Sequence, residues 1–124
     1  MIHDSAIADI EALTEQIMEK MNLGTGDARG LIGNLTDLWR SRILSHAEEE
    51  EDGLYGEIER AEPGSECKFE RMKRDHEILG ILVQQIEEIN LSTGNIGEII
   101  GINSAMLRIL ELHDRDEEEL LPDP

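Results

Sequence analysis

Apolar residues recur at every third or fourth position of this chain, in four runs separated by short polar turns. The first run is Ile7, Ile10, Leu13, Ile17 and Met21. The second is Ile32, Leu35, Trp39 and Ile43, and its stripe continues through His46, Glu50 and Leu54. The third is Phe69, Met72, His76, Leu79, Val83 and Ile86. The fourth is Ile99, Ile102, Met106, Leu110, His113, Glu117 and Leu120. This is the period of an amphipathic helix with one buried stripe. The turn-rich stretches are Asn22 to Asp27, Glu62 to Ser65 and Asn90 to Asn95. Asp27, Ser65 and Asn95 are the expected N-caps, with Glu98 three residues beyond Asn95 in a near capping-box arrangement. A cap at Ser5 would leave His3 just outside the first helix. Four such helices with short connections predict an all-α fold, an up-down-up-down four-helix bundle occupying residues 1–124 as a single domain.

Composition narrows the picture. The chain holds one Trp, one Tyr and one Phe, and its hydrophobic share of 39% comes mostly from aliphatic side chains, which favours helices over sheets. The net charge of −18 repels phosphate backbones, so no nucleic-acid partner is expected. Most of the excess acid is read as solvated surface, including Glu48, Glu49, Glu51, Asp52, Asp114, Asp116, Glu118 and Glu119. No apolar run approaches the roughly 18 residues that span a bilayer, and no signal-peptide pattern precedes Asn22. The single cysteine, Cys67, has no intramolecular partner. The expectation is a cytoplasmic protein without a membrane partner.

Each helical segment carries one of the four histidines, and the stripes bring them to one level. His3 lies 19 residues before Asn22, and His46 lies 19 residues after Asp27. At 1.5 Å rise per residue, each sits about 28 Å from the turn they share. His76 and His113, 14 and 18 residues from the turn between Asn90 and Asn95, agree in height to within about 6 Å. In an up-down bundle all four converge on one end of the core. Glu50 follows His46 by four residues and Glu117 follows His113 by four, so each pair shares a helix face. Inward carboxylates are costly unless something positive meets them, and no Lys or Arg shares their stripe at that height. A metal centre is the economical answer. Four imidazoles and two carboxylates exceed what tetrahedral zinc takes. They suit two ions, one on His3 and His46 and one on His76 and His113, bridged by Glu50 and Glu117. Iron ranks first for this donor set, then manganese, then zinc. Without metal, both glutamates should have raised pKa values, so that stability improves as pH falls.

These residues resemble the hemerythrin-like, or HHE cation-binding, domain family. The resemblance rests on His3, on His46-Ala-Glu-Glu-Glu50-Glu51, on Asp75-His76-Glu77, and on His113-Asp-Arg-Asp-Glu117-Glu118 ahead of Pro122, and spans essentially the whole chain. It implies a non-haem di-iron site that meets a diatomic ligand, O2 or NO. Ferritin-like bundles carry Glu-x-x-His instead. Here Ile43, Lys73 and Leu110 stand three residues before the histidines of segments two, three and four. The oxygen-carrying members have a fifth histidine one turn from the helix-three ligand. Met72 and Gly80 occupy those positions here. That departure points away from reversible oxygen carriage and toward the four-histidine members, which the family uses for iron or redox sensing and nitric-oxide-related repair.

The leading reading is thus a di-iron binding protein. A di-iron enzyme, such as a peroxidase or an iron-donating repair protein, is the alternative, with Tyr55 the one side chain placed to donate a proton. A metal-free helical interaction module is the third.

Overall fold

The computed structural model describes residues 3–24, 28–54 and 66–120, and the described residues are helical almost throughout. Helix α1 is Asp4–Leu23. Helix α2 covers residues 29–54 as alternating segments: α-helix Arg29–Leu38, π-helix Trp39–Leu44, α-helix Ser45–Glu49 and π-helix Glu50–Leu54. Helix α3 is Glu66–Leu91 and α4 is Ile96–Leu120. Among the described residues there is no strand. α1 packs on α2, α2 on α3, α3 on α4, and α4 back on α1, so the four close a ring around one core. No described helix is long and apolar enough to cross a membrane.

Local chemistry sets the helix ends. Gly24 and Gly94 adopt φ of 63° and 65°, a left-handed conformation that side-chain-bearing residues resist, and both end a helix. Asn95 caps α4 as expected, its Oδ1 accepting the Glu98 N–H at 3.1 Å. The proposed caps Asp27 and Ser65, like Tyr55, lie outside the described residues. Ser5 does not cap α1. The helix starts at Asp4, and His3 is its N-cap residue.

The stripes bury largely as their spacing predicts, but Met21 at the end of the first is 43% exposed, Ile7 and Leu13 are half-buried, and two further differences shape the core. In α4 the core position next to Ile99 is Asn103, fully buried, while Ile102 is only half-buried. Asn103 is tolerated because its Oδ1 accepts the Trp39 Nε1–H at 2.9 Å and its Nδ2 donates to Thr14 Oγ1 at 3.1 Å. This polar pin joins α1, α2 and α4 at mid-bundle. In α2, the turn is widened: the Ser45 N–H reaches back five residues to the Arg40 carbonyl. Trp39, Ile43 and Ala47 are spaced by four and all buried, as a wider turn requires. The two π segments flank His46 and contain Glu50, and so set how those side chains face the core.

Candidate metal centre

The six predicted residues meet at the bundle end opposite Gly24 and Gly94. His3 enters from the start of α1, His46 and Glu50 from late α2, His76 from early α3, and His113 and Glu117 from late α4. His3, Glu50, His113 and Glu117 are buried, and the His46 and His76 side chains keep 28% and 10% exposure. Two overlapping groups bring one donor atom from each member within 4.8 Å of the others: His3, His46 and Glu50, and then Glu50, His113 and Glu117. Glu50 belongs to both. His76 adjoins the second group, its Nε2 lying 3.1 Å from His113 Nε2.

The inner atoms fit a cation better than they fit one another. His46 Nε2 is 2.9 Å from Glu50 Oε1, and His113 Nε2 is 3.1 Å from Glu117 Oε2. Among the described residues the buried His3 Nε2 and His46 Nε2 have no hydrogen-bond partner, and Glu117 Oε2, beside His113, makes no well-aligned hydrogen bond. Buried nitrogen and carboxylate atoms that converge on a common space with so few hydrogen bonds among them are what a cation would satisfy. Imidazole with carboxylate is a donor set for iron, manganese or zinc.

An outer layer of carboxylates stands behind three of the histidines. Asp114, expected on a solvated face, is 4% exposed, and its Oδ1 sits 2.7 Å from His3 Nδ1. Glu51, also assigned to solvent, is half-buried with Oε1 3.2 Å from His76 Nδ1. Asp75 Oδ2 lies 3.1 Å from His113 Nδ1. The signal was available in part. Asp114 is one residue past His113, so it leaves the α4 stripe by about 100°, toward the adjoining α1 where His3 waits.

In the metal-free arrangement the charges pair, which corrects the expected pH behaviour. Burial alone would lower His113, but the Glu117 and Asp75 carboxylates outweigh it and push it up to about 9. Burial would raise Glu117, yet His113 and Glu50 beside it, with the charge of His3, pull it down to about 2. Glu117 therefore does not have the raised pKa of an isolated carboxylate: it faces a protonated imidazole. His76 shifts downward, driven by burial and by the charge of His113, with Glu51 and Glu117 opposing.

A cleft of about 370 Å3 between α2 and α3 reaches His76, walled by Leu44, Ala47 and Gly80 with Lys73 and Glu51 beside it. A Cβ at Gly80 would meet nothing within 4 Å. Met72, at the other position one turn from His76, is buried.

Comparison with curated proteins and with solved structures returned no match. The family model of the hemerythrin HHE cation-binding domain matches residues 2–123, nearly the entire sequence. With that coverage, and with histidines and glutamates from all four helices meeting at one end, the chain belongs to the hemerythrin HHE cation-binding domain family.

Proposed function

We propose that the chain is a non-haem di-iron protein that binds O2 or NO, or reports iron and redox state, through His3, His46, Glu50, His76, His113 and Glu117. The observation that carries this reading is Glu50. It is buried, and it is common to both donor groups, as a carboxylate bridging two ions would be. His3 and His46 would hold one ion, and His76 and His113 the other. Glu117, within reach of Glu50 and His113, would be the second bridge. A bound iron pair would supply open coordination and one-electron redox chemistry.

The chain's own residues prepare that chemistry. The stripes of α2 and α4 exclude bulk water below the site, and Asp75, Glu51 and Asp114 occupy the Nδ1 side of three histidines. The cleft beside Gly80 is open to a small ligand approaching His76. No fifth histidine fills that side.

The test is to load the protein with iron, reduce it, mix it with O2 and then remove the gas. The expected result is reaction with O2 that leaves the site oxidised, without reversible storage. A charge-transfer band that vanishes under vacuum and returns with O2 over several cycles would instead make this an oxygen carrier. Multiple turnovers of peroxide by the loaded protein would favour the enzyme alternative.

A further inference from the structure

Resting on the two-ion reading, we propose that the two positions are unequal. The position on α3 and α4 fills first and holds its ion tightly, while the position on α1 and α2 fills second and exchanges. Asp75 and Glu51 are the positioning residues behind the difference.

With Glu50 and Glu117 as bridges, each position draws on two histidines and the same two carboxylates. The difference between them is preorganisation. A carboxylate that accepts the Nδ1–H of a histidine holds the ring angle before any ion arrives and keeps Nε2 as the inward atom, ready to bind once an ion displaces any proton it carries. Both histidines of the α3 and α4 position have such a brace, each from the neighbouring helix: Asp75 of α3 on His113, and Glu51 of α2 on His76. The His113 side chain is 0% exposed.

Among the described residues, the opposite position is braced on one side only. Asp114 holds His3 at 2.7 Å. His46 Nδ1 has Glu49 Oε2 at 3.9 Å, beyond hydrogen-bond reach, and Glu49 is 79% exposed. The His46 ring keeps 28% exposure. It must be immobilised by the ion itself, and that ordering weakens the site. His3 is the N-cap residue of α1, and its side chain makes no capping bond to that helix.

The experiment is an anaerobic titration of the metal-free full chain with Co2+, followed by calorimetry, visible absorption and NMR of the histidine rings. Two steps separated by at least about tenfold in affinity are expected from the usual effect of outer ligands. The first equivalent should shift His76 and His113, and the second His3 and His46. His46→Ala should delete the second step and preserve the first. Asp75→Asn, which keeps the shape but removes the charge, should weaken the first step by about 10–100-fold and alter its Co2+ spectrum while helix content is unchanged. Two steps of equal affinity overturn the inequality and leave the two-ion reading standing. So does loss of the first step in His46→Ala, or an unaltered first step in Asp75→Asn. Saturation at one ion per chain overturns the two-ion reading and the inequality with it.

Discussion

Removing metal should leave a bundle whose stability peaks near neutral pH and falls on the alkaline side, because His113 and Glu117 then form a buried ion pair. The sign follows from the shifts. His113 is raised from 6.5 to about 9, so its contribution is complete below 6.5 and is lost as pH climbs through about 9. Glu117 is lowered from 4.5 to about 2, so its contribution is present above 4.5 and disappears as pH falls toward 2. His76 is lowered, so protonation of the unfolded chain costs stability below 6.5. Together they place the maximum near pH 6.5 to 7. The magnitude comes from the displacement of His113. At roughly 1.4 kcal/mol per pKa unit, the rise to about 9 corresponds to about 3 kcal/mol lost between pH 6.5 and 9. The acid shift of Glu117 is largely the same interaction seen from its partner and is not added. For a domain of this length, that is a fall in Tm of roughly 10 °C. The assay is urea or thermal unfolding of chelator-treated protein across this range, for the wild type and for His113→Gln. The difference between them isolates the pair from the general repulsion of a chain at net charge −18. Wild-type stability that rises from pH 6.5 to 9, or a His113→Gln variant with the same alkaline decline, would refute the pairing.

Further outcomes follow from single contacts. Glu50→Ala and Glu117→Ala should each abolish binding of at least one ion, whereas the 79% exposed Glu49 can be changed to Ala without loss, as metal analysis of the purified variants would register. Trp39→Phe leaves Asn103 Oδ1 buried without the donor it now accepts at 2.9 Å, so unfolding free energy should drop by about 1–3 kcal/mol in denaturant titration, with metal content unchanged. Gly80→His places a ring where a Cβ meets nothing within 4 Å, and slower oxidation of the reduced protein by O2 is expected in a stopped-flow comparison.

Much of this architecture was legible in the sequence. The stripes of α1 to α4 dictated which faces meet. Matched distances from the turns then brought His3, His46, His76 and His113 to one end, because rise per residue is nearly constant in helices. Spacing of four put Glu50 and Glu117 on their histidines' faces. Three features escaped. Asn103 reads as a polar interruption until Trp39 and Thr14 are placed opposite it, which requires three helices at once. The π turns of α2 leave only a run of four-residue spacings as their trace. Asp114 and Glu51 sit among many acidic neighbours, and nothing but the helix beyond distinguishes a carboxylate that meets a histidine from one that meets water. The raised carboxylate pKa expected for Glu117 failed for the same reason, since its partner His113 becomes the cation in the absence of metal.

The two-ion centre is tested most directly by metal content per chain after production with iron available, by elemental analysis of the untreated protein. Two iron atoms per chain are predicted. One zinc and no iron under those conditions would contradict a di-iron centre.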